Sequence, residues 1–199
     1  VFMKTLLLMR HAKSSWKDKK LSDFDRPLKR RGVKAAKLMG KVLTGAELVP
    51  QLVLSSPAER AKQTAEIVSK EMGFKGKLAL VESFYMAEPR DYLNALASLP
   101  DEIERVLLVG HNPGLEDLAN GLDGRSGEMP PGAVAYFSLG IKHWSDLNRL
   151  PDAELISFWD PGNMDLEEME AEMGKDKDKK DKDKKDKKKD KKDKKKDKK

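Results

Sequence analysis

Residues 6–11, Leu-Leu-Leu-Met-Arg-His, decide the fold of this chain. The apolar run has the length of one buried strand, and that strand ends at the charged pair Arg10-His11. Two later apolar runs end in a similar way. Residues 52–54 lead into Ser-Ser-Pro-Ala-Glu-Arg, and residues 106–109 lead into Gly-His-Asn-Pro-Gly. Each of three predicted strands is therefore followed by an arginine, a histidine or both.

The remaining pattern alternates between strand and helix. Further strands are predicted at residues 78–81, 133–139 and 153–159, and helices at about 27–43, 56–72, 89–99 and 112–122. This order predicts an α/β fold of three layers, with a mostly parallel central sheet and helices on both faces. In such sheets ligands bind beyond the carboxyl ends of the strands. The candidate site residues lie there: Arg10, His11, Arg60 and His111.

Two of the predicted helices begin with capping signals. Ser56, Pro57 and Glu59 match a capping box with proline at the first helical position. Asn112 is the expected cap of a later helix that has proline as its first residue. Arg60 then lies in the first turn of its helix, where a cation is unfavourable to the helix dipole. We therefore expect an anionic partner for Arg60.

Lysine and aspartate are the only residues in positions 175–199. This segment holds 17 Lys and 8 Asp, a net charge of +9, so the rest of the chain carries −3 of the total of +6. We predict one folded domain over residues 1–162, then an acidic linker and a disordered Lys/Asp-rich tail over residues 163–199. The tail is interpreted either as a weak contact for polyanions or as a solubilising appendage.

The chain contains no cysteine, which excludes disulfides and thiolate chemistry. Its first apolar run is shorter than the roughly 7–15 residues of a signal peptide core or the roughly 20 of a membrane span. We therefore expect a cytoplasmic protein without a membrane-spanning segment.

Two arginines and two helix N-termini predict a pocket for a phosphate dianion. A neutral histidine held in one tautomer is a nucleophile toward phosphorus, and a second histidine can stabilise the transferred group. The sequence contains no His-Glu-x-x-His motif, no Gly-x-x-x-x-Gly-Lys loop and no carboxylate cluster beside the histidines. We therefore predict neither a metal site nor a cofactor. His143 lacks the strand-end context and is interpreted as a loop residue.

Four motifs carry a resemblance to a known family. They are Leu-Leu-Met-Arg-His-Ala-Lys-Ser-Ser-Trp at 7–16, Asp-Phe-Asp-Arg-Pro-Leu-Lys-x-Arg-Gly at 23–32, Ser-Ser-Pro-x-x-Arg-Ala-x-Gln-Thr-Ala at 55–65 and Val-Gly-His-Asn-Pro-Gly-Leu-Glu at 109–116. Through them, residues 3–160 resemble the histidine phosphatase superfamily, which has the phosphoglycerate mutase-like fold. The SixA-type phosphohistidine phosphatase branch is the most similar.

The resemblance implies a role for each candidate residue. His11 would be the nucleophile that forms a phosphohistidine intermediate. Arg10 and Arg60 would bind the phosphoryl oxygens, and His111 would complete the pocket.

Two positions depart from the family pattern. Ala12 replaces the glycine that follows the nucleophilic histidine, which is tolerated if the backbone angles there are ordinary. Asn112 replaces the aspartate that is the proton donor of the acid phosphatase branch, and an amide cannot supply a proton. Glu82, just past the third strand, lies where mutase-like members often carry their acid, and we assign it as the candidate general acid. Lys13 or Arg26 would add charge at the rim.

The predicted function is a metal-independent phosphatase that hydrolyses phosphohistidine through a covalent intermediate on His11. A histidine that is already protonated on its ring leaves readily, whereas an alkoxide needs a proton in the transition state. The predicted partner is thus a phosphorylated protein. A phosphomonoesterase acting on a small phosphate ester and a non-catalytic phosphate-binding protein remain as alternatives.

Overall fold

A computed structural model describes residues 3–124, 127–149 and 153–164. The strands are β1 Lys4–Arg10, β2 Leu52–Ser55, β3 Lys77–Leu80, β4 Arg105–Gly110, β5 Val134–Leu139 and β6 Ala153–Trp159. The α-helices are α1 Arg30–Gly45, α2 Glu59–Glu71, α3 Pro89–Ala97 and α4 Gly114–Asp123. Two short 3-10 helices, Glu82–Phe84 and Trp144–Arg149, follow β3 and β5.

The strands form one mixed sheet in the order β3-β2-β4-β1-β5-β6. β1 and β2 each run parallel to β4, and β3 runs parallel to β2. β5 is antiparallel to both β1 and β6. The prediction of a mostly parallel α/β sheet is confirmed, with β5 as the strand that runs against its neighbours.

Helices cover both faces of the sheet. Leu6 and Leu8 of β1 share a core with Tyr92 of α3 and Leu115 of α4. Successive side chains of a strand point to opposite faces, so the equally buried Leu7 points the other way. On that face α2 packs against β2 and β4, and α1 lies against α2. The central strands β1 and β4 are therefore covered on both faces, and their charged side chains lie at the strand ends.

Residues 13–29, which connect β1 to α1, form a segment that we call the strap. Ser15 N donates to Pro27 O at 2.8 Å, and Lys29 N donates to Lys13 O at 2.9 Å. This pairing holds residues 27–29 in extended backbone, so α1 begins at Arg30 and not near Pro27 as predicted.

The capping box predicted for α2 is wrong. α2 begins at Glu59 after Ala58, and Ser56 lies too early in the chain to cap it. The Ser56 hydroxyl accepts a hydrogen bond from Ala58 N at 3.3 Å. The residues between β2 and α2 therefore form a turn that leaves Ser56 at the strand end.

The cap predicted for α4 is also wrong. α4 begins at Gly114, with Pro113 in the cap position. The Asn112 side chain instead donates from Nδ2 to Glu116 Oε2 at 2.8 Å and to Met129 O at 3.1 Å. Asn112 thus ties α4 to the loop that precedes β5.

The chain divides after Gly162 into two units. Only Asn163 and Met164 of the second unit are described. The predicted linker beyond them, the Lys/Asp tail and its suggested polyanion contact lie outside the described residues. Within the described ranges, no helix combines the length and the apolarity that crossing a membrane requires.

Candidate active site

The carboxyl ends of β2, β4 and β1 lie side by side in the middle of the sheet. His11 N donates to Gly110 O at 3.0 Å, and Ser56 N donates to Val109 O at 3.0 Å, so the backbone pairing continues one residue past the strands. The rings of His11 and His111 are consequently neighbours, with centroids 5.1 Å apart. The structure thus brings together the two histidines that the sequence placed at two strand ends.

The His11 ring is held in one tautomer. Nδ1 lies 2.8 Å from Ala12 O, and a carbonyl oxygen only accepts, so Nδ1 carries the proton. Nε2 is then unprotonated, and Arg60 Nε donates to it at 3.3 Å. Burial lowers the pKa of His11 to about 4, with the charges of Arg60 and Arg10 acting in the same direction. His11 is therefore neutral at pH 7, and its unprotonated Nε2 faces a guanidinium from which it accepts a hydrogen bond.

His111 is buried beside it. Its Nε2 lies 2.7 Å from Ser56 Oγ, and Tyr92 Oη accepts a hydrogen bond from its backbone N at 3.2 Å. Burial, with a smaller contribution from His11, lowers the pKa of His111 to about 3. His111 is thus a neutral group placed by Ser56 and Tyr92, neither of which sequence reasoning had assigned to the site.

Arg10 stands at the end of β1. Its Nη1 donates to Met129 O at 2.8 Å, while its Nε is buried without a hydrogen-bond partner among the described residues. Burial lowers the pKa of Arg10, and the nearby Glu116 opposes that shift. A half-buried guanidinium with an unused donor fits a site that receives an anion.

Arg60 is buried in the first turn of α2, as predicted. Its partners come from the strap: Nη1 donates to Asp23 O, and Nη2 donates to Asp23 Oδ2 at 2.9 Å. Burial lowers the pKa of Arg60, and Asp23 opposes that shift. The anionic partner that Arg60 has in the structure is the carboxylate of Asp23.

Asp23 connects the site to the rest of the strap. Its Oδ1 accepts from Arg26 Nε at 3.0 Å and from Arg26 Nη2 at 2.8 Å, and its Oδ2 accepts from Tyr85 Oη at 3.1 Å. Partial burial opposes ionisation, but Arg60 and Arg26 prevail and lower the pKa of Asp23. The Asp23 side chain is 44% exposed, so the carboxylate lies at the mouth of the site.

Of the two predicted rim residues, Arg26 is the one the structure places in this network. Arg26 is buried, donates from Nη1 to Ser14 Oγ at 2.9 Å, and lies 3.5 Å from the ring centroid of Trp16. Lys13 is exposed, and its backbone oxygen accepts a hydrogen bond from Lys29 N within the strap.

Sequence reasoning missed Asp23, Ser56 and Tyr85 as members of the site. Asp23 and Ser56 lie within two of the quoted motifs, at 23–32 and 55–65, and that membership was the available signal. Tyr85 offered no such signal, because only the fold brings it to Asp23.

Glu82 is exposed at the start of its 3-10 helix, and its side chain forms none of the hydrogen bonds or ion pairs recorded for the described residues. Its assignment as the general acid stays a prediction. His143 lies outside the site, where its Nδ1 is 2.6 Å from Asp101 Oδ2.

Ala12 fits the position where the family has glycine. Its φ angle is not positive, its side chain is buried, and its N donates to Thr64 Oγ1 at 3.0 Å. Since no left-handed backbone is required, alanine there carries no conformational cost.

The charges of the site favour a dianion. Three guanidiniums surround two neutral histidines, and Asp23 is the acidic group that opposes them most directly. Within the described ranges, no group of three or more His, Asp or Glu side chains is placed to hold a metal ion. The side chains that offer positive charge at the site are the arginines Arg10, Arg26 and Arg60.

An open cleft of about 220 Å³ adjoins His111. Met86, Ala87, Glu88, Pro89, Asn112, Pro113, Gly114 and Asp117 form the rest of its lining. Met86 is 81% exposed at its edge. The cleft leaves open space directly beside His111.

Sequence comparison extends these observations. Residues 6–86 match the model of the histidine phosphatase superfamily, branch 1. An uncharacterised chloroplastic protein of Arabidopsis thaliana is 31% identical over 176 residues, which are 83% of this chain and 77% of that protein. An uncharacterised protein of Mycobacterium leprae is 30% identical over 166 residues, which are 77% of this chain and 99% of that protein.

Solved structures share the fold. A SixA protein of Nakamurella multipartitia, described as a candidate phosphohistidine phosphatase, matches with a TM-score of 0.71 at 28% identity, over 81% of this chain and 98% of that chain. A SixA protein of Agrobacterium tumefaciens with the same description gives 0.70 at 26% identity, over 81% and 100%. The expected phosphoglycerate mutase-like fold is confirmed. The chain belongs to the histidine phosphatase superfamily, in its SixA-type branch.

Proposed function

We propose that this protein is a phosphatase that hydrolyses the P–N bond of phosphohistidine through a covalent phosphohistidine on His11. The observation that carries the proposal is the state of His11. Its Nδ1 proton is held by Ala12 O, its pKa is lowered to about 4, and its unprotonated Nε2 accepts a hydrogen bond from Arg60 Nε at 3.3 Å. This is the arrangement that a histidine nucleophile toward phosphorus needs.

The first step transfers the phosphoryl group. The lone pair of His11 Nε2 forms a bond to phosphorus while the P–N bond of the substrate breaks, and its electron pair returns to the departing imidazole. Arg10 and Arg60 bind the equatorial oxygens, and His111 completes the pocket. Water then attacks phosphorus, the bond to His11 breaks, and phosphate leaves with both protons of that water.

The nature of the leaving group decides between substrates. A substrate imidazole that carries a proton on its other nitrogen leaves neutral without an acid from the protein. The carboxylate bound to Arg60 is that of Asp23, which two guanidiniums hold ionised, and the Asn112 amide supplies no acid. These residues suit a P–N bond better than a P–O ester. The proposed partner is therefore a protein that carries phosphohistidine.

The proposed reaction uses no metal, because arginines supply the charge that a metal would otherwise provide. The test is turnover of a histidine-phosphorylated protein and of an alkyl phosphate ester such as glycerol phosphate, each with excess chelator. We expect faster turnover of the protein and no loss with chelator. Faster turnover of the ester would identify the alternative, a small-molecule phosphomonoesterase. Loss of both activities with chelator would refute metal independence.

Trapping the intermediate tests the catalytic role of His11. Acid-labile, alkali-stable label from a ³²P-phosphorylated substrate is expected in the wild type and absent in His11→Ala. His143→Ala is the matched control, because that histidine lies outside the site, and it should be labelled normally. Unchanged turnover in His11→Ala would refute the mechanism. Phosphate binding without turnover in the wild type would identify a binding protein.

A further inference from the structure

Asp23 holds one edge of the Arg60 guanidinium, and the other edge faces the nucleophile. We infer that Asp23 is a positioning residue that aims Arg60 at the phosphoryl group on His11. This inference rests on the proposed function and adds a residue to it, together with the path by which that residue acts.

The two edges are distinguished by their hydrogen bonds. A guanidinium has five N–H donors fixed in one plane. Nη1 and Nη2 both donate to Asp23, one to its backbone oxygen and one to its carboxylate. Nε lies on the adjacent edge, 3.3 Å from His11 Nε2. The planar geometry therefore leaves Nε–H and the second Nη2–H as a fork directed toward the nucleophilic nitrogen.

These two donors lie beside the place where the oxygens of a phosphoryl group on His11 Nε2 would be. A phosphorus atom bonded to His11 Nε2 would place oxygens beside that nitrogen, within reach of two parallel donors. Arginine is otherwise a side chain of high rotamer entropy, which an unrestrained site would have to fix during the reaction. Asp23 fixes the orientation before the substrate arrives.

Asp23 is itself held from two directions. Arg26 donates two hydrogen bonds to Oδ1, and Tyr85, from the segment after β3, donates to Oδ2. Arg26 is in turn held by Ser14 Oγ and lies against Trp16. A partly exposed carboxylate thus has a fixed position because three side chains, Arg26, Tyr85 and Arg60, donate hydrogen bonds to it.

Two other roles for Asp23 give opposite expectations. As a general acid it would have to be protonated, but Arg60 and Arg26 lower its pKa. As a charge alone it would repel a dianion, so its removal would tighten anion binding. Positioning predicts the reverse, because loss of the tie releases Arg60 from the binding geometry.

The test compares Asp23→Asn with Asp25→Asn, an exposed carboxylate of the same strap that binds Ser22 Oγ. Asp23→Asn is expected to lower kcat about 10- to 100-fold, with a smaller change in KM, because it misplaces a transition-state donor. It should also weaken the binding of tungstate, measured by calorimetry. Asp25→Asn should change neither. Tighter tungstate binding with unchanged kcat would overturn the inference.

A double-mutant cycle shows whether Asp23 acts through Arg60. In an Arg60→Ala background, Asp23→Asn should cause little further loss, because the group that it positions is gone. Independent, multiplicative losses would refute the positioning role. Tyr85→Phe offers a milder variant if Asp23→Asn folds poorly. It removes one bond to Oδ2 and should shift kcat and tungstate binding in the same direction by a few-fold, whereas no shift in either would count against the inference.

The measurement of tungstate binding distinguishes failure of this inference from failure of the proposed function. If the wild type turns over neither substrate but binds tungstate, the phosphatase proposal fails while the cycle, measured by tungstate affinity, still decides the role of Asp23. If turnover is normal and the cycle is additive, the phosphatase proposal stands and the positioning role fails.

Discussion

Two regions build the candidate site, and different forces hold them in place. His11 and His111 follow central strands, and sheet backbone hydrogen bonds such as His11 N to Gly110 O fix them. The strap at residues 13–29 contributes Asp23 and Arg26, which side-chain contacts between charged groups fix. The reacting atoms thus stand on the rigid sheet, and the charges around them depend on a surface segment. Substitutions in the two regions should therefore have different consequences.

Arg60→Ala should have the largest effect of the predictions that follow, because it removes the group on which both regions converge. We expect kcat to fall about 10²- to 10³-fold, the usual consequence of deleting one donor to a transition state. Steady-state kinetics with a histidine-phosphorylated protein measures this. Arg30→Ala, at the exposed start of α1, is the control and should leave kcat unchanged. A loss below tenfold would mean that Arg60 does not bind the transferred group.

Gly110→Ala tests the rigidity of the strand end. A Cβ at this position would lie 2.5 Å from Tyr92 Oη, the group that binds His111 N. We expect the free energy of unfolding to fall by about 1–3 kcal/mol, as for an overpacked core, and activity to fall with it. Urea denaturation measures the first quantity.

The matched control is Gly121→Ala in α4, where a Cβ would meet no atom within 4 Å. Because alanine favours helix by roughly 1 kcal/mol over glycine, this variant should be neutral or more stable. Equal destabilisation at both positions would contradict the picture of a tightly packed strand end.

Acid should destabilise the strand-end region through its histidines. An unfolded histidine titrates near 6.5, whereas the pKa values of His11 and His111 are lowered to about 4 and about 3. Between these values the unfolded chain binds more protons, so the free energy of unfolding falls as the pH drops below about 6.5, and the contribution of each histidine levels off below its folded pKa.

Urea denaturation from pH 7.5 to pH 4 measures this slope. His11→Asn should reduce it, because the substitution removes a group whose pKa is lowered in the folded protein. An identical slope in His11→Asn would mean that His11 is not held neutral in the folded protein.

Trp16→Ala should have the smallest effect, confined to the strap. The ring is 67% exposed and lies over Arg26, and an exposed cation–π contact is worth about 0.5–1 kcal/mol. We expect a drop of that size in the free energy of unfolding and a kcat lower by a few-fold. Leu21→Ala, an exposed apolar residue of the same strap, should change neither. If Trp16→Ala lowered the free energy of unfolding more than Gly110→Ala does, the strap and not the strand ends would be the more tightly packed region.

The sequence by itself determined the α/β class, the helix order and the strand-end residues Arg10, His11, Arg60 and His111. These follow from apolar runs and from what stands directly after them, both of which are local in the chain. The order of the strands is not local, yet the placement of β4 between β1 and β2 is what brings the two histidines to 5.1 Å.

Only the tertiary structure decided how the site is completed. Local propensity predicts Ser56 and Asn112 as helix caps, but contacts with distant parts of the chain direct Ser56 to His111 and Asn112 to Met129 O. The motif at 23–32 did not by itself assign a role to Asp23, and the contact between the strap and Arg60 supplies one. The spacing of apolar residues that predicts helices and strands can be seen in neighbouring residues. A hydrogen bond between residues 23 and 60 instead depends on how the whole chain packs.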